Sequence, residues 1–283
     1  MLQEMRECGV EPRLLTRAVP RPQNTSYVVP NVIHYIRYTN NVTFEFQHYL
    51  SYRSVQLFIR PRYIFLHGDS IPDGEWWQKT LAEVDNLYHV YRKQPKDVHG
   101  TPIQFIQHSA DITRLVVLID YGGIYIDDDV LIIRSFDPLR NYDLTLGRPV
   151  KIALSNGIII ARKGALFLRI WLENYRNYNP KSWGGNSVAK GSTLGKLFPH
   201  LVHVEEQSLL HPSWQESPLM FSHRRHYNWT ENYCIHIYFE NHHKIPKIPE
   251  QLKSYDNTLG QVMRHIYYGN SSLIPVPGPP FRP

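Results

Sequence analysis

The stretch IDYGGIYIDDDVLII, residues 119–133, sets three consecutive aspartates, Asp127, Asp128 and Asp129, between two apolar runs. A turn-forming Gly122-Gly123 pair stands just before them. Carboxylates this close repel one another, and burying them without a partner is costly. The arrangement therefore calls for something at that point which offsets the charge. GIYI reads as a short buried strand with the aspartates at its carboxyl end. In an open α/β sheet, ligands bind at the carboxyl ends of strands.

The flanking sequence supports such a sheet. Upstream, residues 102–121 read as a helix running from Pro102 to the glycine pair. Before it, 27–38, 63–69 and 86–93 read as strands, with helices over 43–59 and the DGEWWQKTLAEV stretch between them. Alternation of this kind predicts an α/β fold with helices on both faces of a sheet. Beyond residue 140 the pattern is less regular. LTLGRPVKIALSNGIIIARKG reads as two or three strands, GALFLRIWLENYRNY as a helix, and GGNSVAKGSTLGKLF as a glycine-opened helix. YCIHIYFENHHK (233–244) reads as a strand ending in a histidine cluster. Residues 1–26 read as an irregular lead-in, 27–265 as one domain, and 266–283 as a proline-rich, extended tail.

Composition narrows the functional class. The 283 residues are 42% hydrophobic and 20% charged, which is ordinary for a globular chain. No run of 18 apolar residues occurs, and MLQEMRECGV lacks the apolar core of a signal peptide. The expectation is a cytoplasmic protein, or one whose address or anchor lies outside this chain. The net charge of +6 favours anionic partners. The basic residues are scattered, which points to a small anionic ligand and not to nucleic acid. Cys8 and Cys234 give neither a zinc spacing nor a disulfide framework, although one bridge between them is open. Sequons at Asn24, Asn41, Asn228 and Asn270 are compatible with a lumenal address or with plain surface asparagines.

Three readings of the aspartates compete. A solvated acidic turn accounts for one Asp but not for three after GIYI. Metal binding uses Asp127 and Asp129, spaced D-x-D, as oxygen ligands for Mn²⁺ or Mg²⁺, with a diphosphate as the leaving group. An aspartyl-phosphate phosphatase of the haloacid dehalogenase type would use Asp127 as nucleophile and Asp129 as acid/base. That chemistry normally opens its domain and needs a later acid pair, and only Glu205-Glu206 follows. Upstream, Asp111 and Arg114 are three apart on the expected helix, hence on one face, where they can meet sugar hydroxyls or phosphate. The competing reading there is an ordinary intrahelical ion pair. No phosphate loop, nucleophile elbow, H-E-x-x-H or G-x-G-x-x-G is present.

Asp111, Arg114, Gly122, Gly123, Tyr125, Asp127 and Asp129 together resemble the sugar-binding region of glycosyltransferase family 32. Pro30, Ile33 and His34 are in register with that family's opening strand, Asn156 with a later Asn-containing strand, and His236 with a C-terminal His-containing strand. The resemblance implies a GT-A fold, a Rossmann-like nucleotide-sugar-binding sheet with a smaller acceptor-side region. It also implies a Mn²⁺-dependent nucleotide-sugar donor, a UDP-sugar, and retention at the anomeric carbon. Animal members transfer galactose or N-acetylglucosamine in the Golgi behind an N-terminal anchor, which implies a glycan, glycolipid or glycoprotein acceptor. The run HYIRY departs from the family's usual aromatic segment after the first His, and WGGNSVAKGST lacks its later Thr-Gly-Pro.

On this resemblance Asp127, Asp129 and His236 hold the metal, and Asp127, Asp129 and Arg114 carry the chemistry. Asp111, Arg114, Asn156, Asp128, His34 and Tyr35 bind the donor, with Asp128 facing ribose or solvent. The histidine's competing role is a packed strand residue, and that of His236, beside His242 and His243, a solvated turn. A degenerate nucleotide-sugar-binding protein remains the non-enzymatic alternative.

Overall fold

The structure is a computed structural model that describes residues 1–22, 24, 26–38, 43–224, 226–238 and 245–274. In chain order it begins with α1 (Leu2–Glu7), β1 (Pro12–Leu14), β2 (Val32–Ile36), α2 (Phe46–Ser54), β3 (Tyr63–Gly68), α3 (Glu75–Glu83) and β4 (Leu87–Tyr91). A two-residue hairpin, β5 (Asp97–Val98) and β6 (Thr101–Pro102), leads into α4 (Ile106–Tyr121) and β7 (Gly123–Ile126). Then follow β8 (Val130–Ile132), β9 (Leu144–Gly147), β10 (Ile158–Ala161), α5 (Leu166–Glu173) and α6 (Lys190–Leu197). The chain continues through β11 (His203–Glu205), α7 (Ser217–Phe221), β12 (Cys234–His236), α8 (Pro249–Leu252) and α9 (Thr258–Tyr268).

The main sheet has the order β1-β4-β3-β2-β7-β10-β9-β11. Strands β4, β3, β2 and β7 are parallel, while β10 runs antiparallel to both β7 and β9. The chain builds outward from β2 to β4 and then returns to lay β7 on the other side of β2. That reversal opens a crevice at the carboxyl ends of β2 and β7, the place where an open α/β sheet takes its ligand. The aspartates follow β7 directly, so the topology puts them in the crevice.

Both faces of the sheet are covered, and the strands read accordingly as nearly continuous apolar runs. Ile33, Ile124, Ile126, Ile158 and Ile160 join the core under α2 and α9. The alternate residues Tyr125, Ile159 and Ala161 join the core under α4, α5 and α6. The α/β class expected from the sequence, with helices on both faces of the sheet, is thus the one observed.

Several boundaries differ from the expectation, each for a local reason. Helix α4 starts at Ile106 and not at Pro102, because His99 and Gly100 both take positive φ (48° and 79°) and close the β5–β6 hairpin. The reading of residues 1–26 as irregular fails over 2–14. Met5 is fully buried in a hydrophobic cluster that includes Val32, Phe65 and Val117, and β1 pairs with the edge of β4. Of the strand read over 233–244, Cys234–His236 form β12, paired with β8 in a separate ribbon, and residues 239–244 lie outside the described residues. Helix α9 runs to Tyr268, so the first residues assigned to the tail are helical. Cys8 is exposed, Cys234 is buried, and both are free, so the bridge left open by the sequence is not formed. The sequon at Asn41, the histidines His242 and His243, and residues 275–283 of the tail lie outside the described residues. Among the described residues, no helix is long and apolar enough to cross a membrane.

Candidate donor and metal site

Helix α4 must stop and reverse sharply to deliver the aspartates. Gly122 (φ 65°) and Gly123 (φ 121°) make that turn in backbone regions that side chains resist. Space forbids side chains as well. A Cβ at Gly122 would lie 2.5 Å from the Lys163 backbone nitrogen, and one at Gly123 would lie 2.7 Å from the Val32 carbonyl oxygen.

Beyond the turn lies a cavity of about 600 Å³ lined by Asp111, Arg114, Asp127, Asp128, Asp129, Asn156 and His236. Seven of the nine residues singled out from the sequence therefore meet at one place. Arg114 is central. Its Nη1 donates to the Asn156 carbonyl oxygen at 2.7 Å and lies 3.4 Å from Asp127 Oδ1. Its Nη2 is 3.3 Å from Asp111 Oδ1, the i,i+3 pair expected on the helix. Its guanidinium also lies over the Tyr125 ring at 4.3 Å. The Asn156 side-chain amide donates to Asp111 Oδ1 at 2.6 Å, and the Tyr125 hydroxyl donates to Asp127. Burial alone would favour a deprotonated Arg114, but Tyr125, Asp127 and Asp111 together drive its pKa above the ordinary arginine value.

The third aspartate takes a different partner. Arg37 Nη1 donates to Asp128 Oδ2 at 2.5 Å, and His48 Nε2 approaches the same oxygen at 4.0 Å. Asp128 therefore faces Arg37 across the crevice, where the sequence had suggested ribose or solvent, and its charge is neutralised by protein. Arg37 follows β2 at its carboxyl end, directly opposite the end of β7. Its strand position was the signal that sequence reasoning passed over.

His34 and Tyr35 are corrected by the structure: neither lines the cavity. Both are buried within β2. His34 bonds the Gly122 carbonyl oxygen and the His67 ring, each at 3.0 Å, and Arg92 Nε donates to the far nitrogen of His67 at 3.0 Å. Since Arg92 can only donate, His67 donates onward to His34, and His34 donates to Gly122. Tyr35 stacks on Tyr52 and shares a hydrogen bond with Ser51. Strand alternation turns these side chains into the sheet's packed faces, while the crevice belongs to Ile36, Arg37 and Tyr38 at the strand's end.

Asp127, Asp129 and His236 each offer a ligand atom, and these atoms all lie within 4.8 Å of one another. His236 Nε2 is 2.8 Å from Asp129 Oδ1 and 3.8 Å from Asp127 Oδ2. Burial pushes Asp127 up to about 6, with the neighbouring Asp129 adding to the rise against the pull of Arg114 and His236. Burial opposes a charged His236, yet Asp129 and Asp127 raise its pKa above the ordinary histidine value. These are the marks of an over-supplied anionic site. Two further observations fit a divalent cation. His236 Nδ1 is buried without a hydrogen-bond partner. Gly157 keeps the floor open, since a Cβ there would sit 2.7 Å from Asp127 Oδ2 and 3.0 Å from His236 Cε1. Two carboxylates and an imidazole suit Mn²⁺ or Mg²⁺.

Among the described residues, the cavity lining holds no later acid pair of the kind a phosphatase would need. Glu205 bonds Ser208, and Glu206 pairs with Arg148.

Fold and site together define an α/β chain with an acidic, metal-suited centre at the switch point of its sheet. A family model described as a glycosyltransferase sugar-binding region containing a DXD motif matches residues 47–145. That span takes in Asp111, Arg114 and all three aspartates, and leaves His34, Asn156 and His236 outside. The chain thus carries a region similar to the DXD-containing sugar-binding region of glycosyltransferases. It is 27% identical over 226 residues to "Glucan organizing enzyme 1" of Cryptococcus neoformans, covering 74% of this chain and 61% of that protein. It is 22% identical over 250 residues to "Inositol phosphoceramide mannosyltransferase 3" of Schizosaccharomyces pombe, covering 87% and 61%. It is 24% identical over 188 residues to the human "Alpha-1,4-N-acetylglucosaminyltransferase", covering 56% and 54%. The chain thus spans less than two thirds of the length of each of these relatives. Among solved structures, the galactosyltransferase LgtC aligns with a TM-score of 0.46 at 14% identity, covering 85% of this chain and 96% of that one. The PaToxG glycosyltransferase aligns at 0.44 and 15%, covering 69% and 74%.

Proposed function

We propose that this chain transfers a hexose from a nucleotide-sugar, a UDP-sugar carrying galactose or N-acetylglucosamine, to a glycan, glycolipid or glycoprotein acceptor. The observation that carries the reading is the convergence of Asp127, Asp129 and His236 at the carboxyl end of β7, with Arg114 on the same carboxylate. A divalent cation, Mn²⁺ or Mg²⁺, would supply positive charge to the diphosphate as it leaves. Asp127, Asp129 and His236 would hold it.

The chain's own residues do the rest. Arg114 adds a fixed positive charge beside Asp127, where negative charge develops on the leaving group. Asp111, oriented by Arg114 and the Asn156 amide, accepts from donor-sugar hydroxyls. Tyr125 holds Asp127 from behind. Retention of configuration could use a carboxylate nucleophile. Asp111 is tied to Arg114 and Asn156, and Asp128 to Arg37. That leaves attack on the sugar face from which the diphosphate departs as the proposed route. A Golgi or secretory-lumen location is proposed from the family resemblance, on the condition that an anchor lies outside this chain.

The test is release of nucleoside diphosphate with Mn²⁺ across UDP-galactose, UDP-N-acetylglucosamine, UDP-glucose and GDP-mannose. GDP-mannose is included because one relative is named a mannosyltransferase. We expect turnover of one donor, abolished in Asp127→Ala and Asp129→Ala with circular dichroism unchanged. Full activity in both variants would refute the assignment. Metal-dependent donor binding without any turnover would favour the degenerate binding protein.

A further inference from the structure

Tyr238 lines the same cavity two residues beyond His236, and the scheme above gives it no task. Its backbone is left-handed, with φ 53°. Bulky residues rarely adopt that conformation, and such strain persists at functional sites where the surroundings enforce it. The ring is fixed on two sides. It stacks on the His236 imidazole with centroids 3.9 Å apart and meets Trp214 edge-on at 5.9 Å. The hydroxyl oxygen is buried, yet it has no hydrogen-bond partner. An unpaired buried hydroxyl is costly, and removing the group is the cheaper evolutionary outcome unless something pairs with it.

We propose that the Tyr238 hydroxyl is a donor-binding group that donates its hydrogen bond to an oxygen of the nucleoside diphosphate. The inference rests on the nucleotide-sugar reading and adds a residue which that reading lacks. A phenol can donate and accept, and at neutral pH its O–H is a donor that only an acceptor oxygen satisfies. Asp127 and Asp129 are acceptors in the same cavity, but neither accepts from it. Its ring packs flat against the imidazole that completes the metal cluster, so it stands beside the place where diphosphate oxygens are required. Those oxygens only accept, whereas an acceptor sugar's hydroxyls both donate and accept and place no such demand on the protein. Trp214 and His236 keep the phenol from rotating away, so the bond is made without ordering a free side chain.

The test is calorimetric titration of the chain with UDP and with GDP, Mn²⁺ present, comparing wild type with Tyr238→Phe. The variant keeps the ring and its stacking. We expect about a tenfold loss of affinity for whichever diphosphate the wild type binds, as for one hydrogen bond to a charged group. Mn²⁺ affinity should be unchanged. The ligand-free melting temperature should be equal or higher, because the unpaired hydroxyl is gone. Equal diphosphate affinity in the two proteins overturns the inference and leaves the transferase reading standing, as does an effect confined to the KM for an acceptor. Wild type that binds neither UDP nor GDP sinks the transferase reading, and the inference with it.

Discussion

Gly157 has no chemistry of its own, yet its missing side chain lets Asp127 and His236 stand as close as they do. The nearest atoms to a Cβ there are Asp127 Oδ2 and two ring atoms of His236, at 2.7–3.3 Å. Both side chains are hemmed in, Asp127 by Arg114 and Tyr125 and His236 by Tyr238. A methyl group must therefore displace a ligand. Gly157→Ala should lower Mn²⁺ affinity about tenfold or more, as displaced metal-site supports do, with the fold intact. Mn²⁺ titration followed by electron paramagnetic resonance would check it, and wild-type affinity would show that the floor of the site has slack. At this scale the sequence was informative in part. Asp111, Arg114, Asp127 and Asp129 stood out as charges that a core does not need, and Asn156 and His236 through the family resemblance; the structure brings all six to one cavity. Gly157 and Tyr238 were not legible, since a glycine's role lies in its neighbours and an aromatic residue near a strand reads as core. His34 misled because its polar ring is satisfied by partners from β3 and the Gly122 turn that no local pattern announces.

At the scale of elements, the N-terminal segment is the main revision. A charged, proline-bearing stretch has no visible period, and its order comes from tertiary contacts alone. Helix α1 buries only Met5, but that side chain joins a cluster with Val32 of β2, Phe65 of β3 and Val117 of α4. Strand β1 covers the backbone edge of β4 with three paired residues. Deleting a buried methionine of this kind typically costs about 2–5 kcal/mol. Met5→Ala should shift urea unfolding by an amount in that range, whereas the exposed neighbour Glu7→Ala should shift it by less than about 0.5 kcal/mol. Equal shifts in the two variants would mean that the segment is not packed in solution. The parallel half of the sheet, by contrast, was legible, because strands buried on both faces carry continuous apolar runs. The ends of α4 and of β12 were not, since both are set by backbone turns and by pairing with distant strands.

For the molecule as a whole, buried histidines set the response to acid. Burial holds His34 down to about 4, lowers His67 well below its ordinary value, and lowers His48 as well. A histidine depressed in the folded state is neutral there but protonated in the unfolded chain. Its contribution is fully present above pH 6.5 and is lost as pH falls toward 4. Asp127, raised to about 6, works in the opposite sense over part of that window. The histidines outnumber it, so unfolding of the metal-free protein should take up protons as the pH falls below about 6.5, and stability should fall with it. Stability curves measured across that interval would check this, and a flat profile would mean that the histidine chain is hydrated. The ribbon of β8 and β12 has a consequence of another kind. It brings His236 to Asp129 across more than a hundred residues of intervening chain, through which β9, β10, α5 and α6 must first be laid down. A ribosome that has released the chain as far as α6 has already exposed the whole parallel half-sheet and both D-x-D carboxylates, but not the imidazole. The three candidate ligands therefore come together only late in synthesis, and a chain truncated before residue 236 carries the two carboxylates without the imidazole.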